Sequence, residues 1–114
     1  MAGTTVYYYI SENGGNPVRE FILSLEVRQQ AKIRRILATI MEYGLQPVIP
    51  HLRKLTGTPL WEIRILGQDN IRILYVLAHK DSILALHGFV KKSQKTPEKE
   101  INTALGRYKD WLCQ

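Results

Sequence analysis

Apolar residues in this chain recur with two periods, and the switches between them mark its elements. Residues 5 to 10, TVYYYI, are β-branched and aromatic, a composition that suits a pleated strand. Two glycines follow, then Asn16 and Pro17 ahead of Val18, Phe21, Ile22 and Leu25. Asn at an N-cap with Pro at the first helical position, followed by three-and-four spacing, predicts a short amphipathic helix. The helical period restarts at Val27 and runs through Ala31, Ile33, Ile36, Leu37, Ile40 and Met41. It stops at Gly44 with Pro47 just beyond, which predicts a second, longer helix forming a hairpin with the first.

Residues 46–59, QPVIPHLRKLTGTP, break both periods with three prolines and a glycine, so an irregular surface connection is expected there. It carries a basic cluster, His51, Arg53 and Lys54. Extended runs then occupy 60–66, 71–78 and 82–92, separated by GQDN and HKD. Connections this short join antiparallel neighbours, which makes a meander. A last amphipathic helix is predicted over 97–112, with Ile101, Ala104, Leu105, Tyr108 and Leu112 along one face, Thr96 as N-cap and Pro97 as first helical residue. The order β-α-α-β-β-β-α predicts an α+β domain. Its sheet is expected to be mainly antiparallel with about four strands, the helices gathered on one face and the other face open.

Alternation along the strands decides what an open face would present. Leu60, Glu62 and Arg64 fall on one side and Trp61, Ile63 and Ile65 on the other; Leu84, Leu86 and Val90 oppose His87, Phe89 and Lys91. Arg64, His87 and Lys91 would therefore rise from the open surface with Phe89 among them, a surface suited to stacked bases and to phosphates. Any half-exposed sheet also carries polar residues outside, so the pattern alone is equally that of a solvated face.

The chain has 114 residues, 45% hydrophobic and 23% charged, which suits one domain, residues 1–114, with a single core. No transmembrane helix and no secretory signal are expected, because charge interrupts every apolar stretch and the start lacks a basic n-region. The lone cysteine, Cys113, supports neither a disulfide nor a metal site and fits a reducing compartment. Residues 1–50 hold five Lys/Arg against four Asp/Glu, and residues 51–114 hold eleven against six, so the net +6 divides into +1 and +5. The basic second half suits an anionic partner, though a chain kept soluble by positive charge would look the same. A Gly-rich phosphate loop, HExxH, CxxC and an apolar-flanked carboxylate pair are all absent, and His51, His79 and His87 lack ligand spacing. Neither a metal nor a cofactor is expected.

KLTGTPLWEIRI, NIRILYVL and above all LHGFVKKSQKTPEKEINTA resemble the phage-derived, HigB-like branch of the RelE/ParE toxin superfamily. The likeness runs from about Asn16 through the last helix, and the element order read above is that superfamily's. It implies a RelE-like fold and a cytoplasmic toxin that cleaves mRNA in the ribosomal A site without metal, restrained by a cognate antitoxin. Such chemistry uses the RNA 2′-hydroxyl as nucleophile and asks the protein for a base, an acid and cations. Carried over by position, Arg64, Arg72 and Lys91 are the implied catalytic groups. A lysine or His87 is implied in proton transfer, since lysines crowded by cations lose their ammonium form more readily. Lys54, Arg53, Phe89, Lys92 and Lys95 are the implied RNA contacts. The lysines ahead of the last helix's N-terminus read as an anion site, filled by RNA phosphate or by an acidic antitoxin. The ParE branch supplies a rival, a non-catalytic toxin that inhibits DNA gyrase, or a plain protein-binding module.

Overall fold

The structure, a computed structural model, describes residues 3–65, 67, 70–92 and 94–114. Strand β1 is Thr5–Tyr8, helix α1 Pro17–Leu23 and helix α2 Val27–Tyr43. The Asn16 side chain caps α1 by accepting from the Arg19 amide at 3.1 Å, and Pro17 opens the helix, as its fixed φ favours. α2 begins with a reciprocal capping box between Glu26 and Gln29 and ends at Gly44, whose φ of 86° suits glycine. A 3-10 helix, Gln46–His51, leads into β2, Leu52–Lys54. Strands β3 (Trp61–Ile65), β4 (Ile71–Leu77) and β5 (Ser82–Val90) precede helix α3, Glu98–Leu112. Asn70 and Asp81 take positive φ, 54° and 60°, as residues of tight turns do.

The five strands form one mixed sheet in the order β1-β5-β4-β3-β2. β1 runs parallel to β5, and the remaining pairs are antiparallel. The fifth strand, β2, arises inside the segment expected to be irregular, because Leu52, Arg53 and Lys54 pair with Ile63, Glu62 and Trp61.

The expected open face does not exist. The helical hairpin covers one side of the sheet with Val18, Ile22, Ile33, Leu37 and Ile40 against Ile63, Ile65, Ile73 and Tyr75. The opposite side is a second core, where α3 lays Ile101, Ala104, Leu105 and Tyr108 over Leu60, Leu74, Val76, Leu84, Leu86 and Phe89. A bulge enables this: Leu74 pairs with His87 but Tyr75 with Ala85, so Leu86 is the extra residue and joins Leu84 beneath α3. A sheet with apolar residues on both sides gains by covering both.

Polar contacts fasten α3 in place. Tyr9 Oη donates to Asp110 Oδ2 at 2.5 Å, Arg107 Nη1 donates to the Leu86 carbonyl at 2.9 Å, and the Arg107 guanidinium lies 5.9 Å from the centre of the Tyr9 ring. On the hairpin side, α1 seats Phe21 against Gly88, where an added Cβ would come within 2.3 Å of the ring. Among the described residues no helix is long and apolar enough to cross a membrane.

Candidate anion-binding site

Direct partners in an antiparallel pair share a face, and at one corner of this sheet the registers align charge. Arg53 of β2 stands opposite Glu62 of β3, Arg64 of β3 opposite Arg72 of β4, and Arg72 opposite Phe89 of β5. The amide of Lys91, just past β5, donates to the Asn70 carbonyl at 2.7 Å, which holds Lys91 beside Arg72. α3 packs mainly on β5 and β4. It covers Leu74, His87 and Phe89 and leaves this charged corner at its edge.

Glu62 is the centre of the corner and is fully buried. Its Oε2 accepts from Thr96 Oγ1 at 2.5 Å. Its Oε1 lies 3.5 Å from Arg72 Nε, within ion-pair range, yet among the described residues neither atom has a hydrogen-bond partner. Arg64 Nε is buried in the same condition, while its Nη2 donates to the Pro50 carbonyl at 3.2 Å. Among the described residues three buried atoms on neighbouring side chains thus lack a hydrogen bond; the ion pair offsets that loss for Glu62 and Arg72, whereas a buried group with no partner costs about 1–3 kcal/mol.

Lys91 is only 8% exposed. Burial pushes its ammonium below the usual lysine range, Glu62 pulls it back up, and Arg72, Arg53 and Arg64 push it further down. Removal from water is therefore the main cause, ahead of crowding by other cations. Arg72 is lowered in the same way, by burial first and against Glu62. A cleft of about 420 Å³ opens over Arg72 and Lys91, and Asn70, Lys92 and Gln94 complete its lining. Three cations and no acid in that lining suit an anion.

The structure brings Arg64, Arg72, Lys91, Lys92 and Arg53 into or beside this corner. It takes His87, Phe89 and Lys54 away. His87 lies under α3, its Nε2 2.7 Å from Glu100 Oε1 and its Nδ1 3.1 Å from Arg107 Nη1. A neutral ring with its proton on Nε2 satisfies both contacts. Burial pushes the imidazole down, against the pull of Glu100. Phe89 is 5% exposed and stacks on the His87 ring at 5.6 Å between centroids, so no face is free for a base. Lys54 pairs with Trp61 on the hairpin side of the sheet, and its ammonium is held by the carbonyls of Thr58 and Leu55. Lys95 is exposed and does not line the cleft.

The start of α3 also departs from expectation. Pro97 is the N-cap, with no side-chain cap bond, and Glu98 and Glu100 occupy the first turn, so carboxylates already answer the helix dipole. Thr96 gives its hydroxyl to Glu62 instead. Sequence reasoning missed Glu62, Asn70, Gln94 and Thr96. The available signal for Glu62 was a single acid between Trp61 and Ile63, two residues from Arg64.

Fold and site together define a small α+β domain with a two-sided core and a cationic corner able to hold an anion. Residues 20–109 match the family described as phage derived protein Gp49-like (DUF891), and the chain belongs to that family. No curated protein matches the chain.

Proposed function

We propose that this chain is the toxin of a type II toxin–antitoxin pair, a cytoplasmic endoribonuclease that cleaves mRNA in the ribosomal A site without metal and so halts translation. The observation that carries the reading is the convergence of Arg72, buried Lys91 and Lys92 at one cleft, with Arg64 paired to Arg72 beside it. Membership in a phage-derived family and the likeness to HigB-like toxins support it.

In this reading an RNA phosphodiester enters the cleft and its non-bridging oxygens meet Arg72, with Arg64 beside it across the strand pair. Lys91, whose ammonium form burial disfavours, accepts in its unprotonated form the proton of the adjacent 2′-hydroxyl, whose oxygen bonds to phosphorus. The bond from phosphorus to the 5′-oxygen breaks, and that oxygen takes a proton from protonated Lys92. The products are a 2′,3′-cyclic phosphate and a 5′-hydroxyl end, and no redox partner is needed. Guanidinium groups aimed at the charge that develops on phosphorus supply the main stabilisation. A cognate antitoxin restrains the toxin by placing acidic side chains against the same cations.

The test is induction in a bacterial host with three readings: growth, primer extension on a reporter mRNA, and supercoiling of a plasmid. Growth arrest with cut transcripts and normal supercoiling is expected, together with relief by the neighbouring small gene product. Lost supercoiling with intact transcripts would overturn the reading in favour of a gyrase poison.

A further inference from the structure

Glu62 is out of place as a surface charge and as a core residue. It is fully buried in a strand whose neighbours Trp61 and Ile63 belong to the opposite core, and it lies among cations that a polyanion would seek. Both of its oxygens are aimed at parts of the site: Oε2 receives the Thr96 hydroxyl, and Oε1 faces Arg72 Nε. Thr96 is 34 positions away in sequence and closes the segment that carries Lys91, Lys92 and Lys95 from the end of β5 to the start of α3. With no accessible surface of its own, Glu62 cannot reach a ligand in the cleft.

We propose that Glu62 is the positioning residue of the cationic site: through Thr96 it fixes the segment bearing Lys91 and Lys92, and through Arg72 it aims the guanidinium that lines the cleft. The inference rests on the ribonuclease reading for its substrate class and on geometry alone for the positioning. Two physical consequences separate its two bonds. The Thr96 bond is positional, so its loss lets the lysine-bearing segment shift away from the bound anion. The carboxylate charge is electrostatic, because it opposes the burial that pushes the Lys91 ammonium down.

The experiment compares Thr96→Val, Thr96→Ser and Glu62→Gln with the parent. Affinity for a short fluorescent 2′-O-methyl RNA, which lacks the nucleophile and stays uncut, is read by anisotropy; Lys91 titration is read by side-chain NMR. Reporter RNA cleavage is followed in parallel. Thr96→Val is expected to weaken RNA binding about tenfold, the size of one lost hydrogen bond to a charged group, and Thr96→Ser to restore it. Glu62→Gln keeps an acceptor for Thr96 but turns an amide N–H toward Arg72 Nε, so it too is expected to weaken RNA binding by releasing Arg72, while Lys91 titrates at lower pH and the rising limb of the pH–rate profile moves down with it. Parent-like binding by Thr96→Val, or an unmoved Lys91 titration in Glu62→Gln, overturns the positioning role. A parent that leaves RNA uncut while the binding and titration series behaves as stated removes the ribonuclease reading and leaves the positioning role standing.

Discussion

Arg64 and Arg72 face each other directly across β3 and β4, so two guanidiniums share one side of the sheet, where like charges in opposition cost stability. In the proposed reading the pair serves the bound phosphate, which accounts for that cost. Arg64→Ala removes a like-charge neighbour, so its folding stability should stay within about 1 kcal/mol of the parent. Arg72→Ala strips the buried Glu62 carboxylate of its ion-pair partner and should cost about 1–3 kcal/mol. RNA cleavage should fall about 100-fold to 1000-fold in both, and Lys80→Ala, in the turn at the far end of β5 from Lys91, should cut like the parent. Urea denaturation and primer extension read the two effects separately. Parent-like cleavage by both arginine variants would remove the corner as the active surface.

The core beneath α3 predicts a large penalty at a position that an open sheet face would tolerate. Leu84 is 1% exposed within that core, and Leu84→Ala should lower stability by about 2–5 kcal/mol. Leu112, at the end of α3 and 60% exposed, should lose less than about 1 kcal/mol on the same change. Comparable urea midpoints for the two variants would contradict the two-sided core.

Gly88 marks the closest approach of α1 to the sheet. A methyl group there would enter the Phe21 ring, so Gly88→Ala should destabilise by about 1–3 kcal/mol through overpacking. Adding Phe21→Ala makes room for the methyl group, so in a double-mutant cycle the two losses should fall short of additive. Strict additivity in thermal unfolding would show that the ring is not the obstacle.

His87 gives the fold an acid sensitivity. Its folded value lies below the ordinary imidazole value, chiefly through burial, so between the two values the unfolded chain binds the extra proton. Stability must then fall as pH drops below about 6.5 toward the folded value, and the penalty is complete below it. His87→Gln should show a shallower decline in urea midpoint from about pH 7.5 to about pH 5. Equal slopes in parent and variant would place the sensitivity elsewhere.

Much of this structure was legible along the chain because it depends on near neighbours. Asn16, Pro17 and Gly44 bound their helices where the cap chemistry said they would, and the three extended runs became β3, β4 and β5 within two residues at each end. Three cations of the corner, Arg64, Arg72 and Lys91, were also legible, since a period of two assigns a face to Arg64 and Lys91 and motif likeness drew attention to Arg72. His87 and Phe89 shared that face and were misjudged, because alternation names a side and says nothing of what covers it.

Helix periods, caps, turn residues and strand alternation follow from contacts between residues a few positions apart, and the order of nucleotides in a gene is enough to specify them. Three features lay beyond that reach. β1 pairs with β5 in parallel across most of the chain, α3 crosses to the face that the hairpin leaves free, and Thr96 abandons its own helix to meet Glu62. Each is a choice among distant partners, made where burying both sides of the sheet and giving a buried carboxylate its donor and its cation outweighed the local preference.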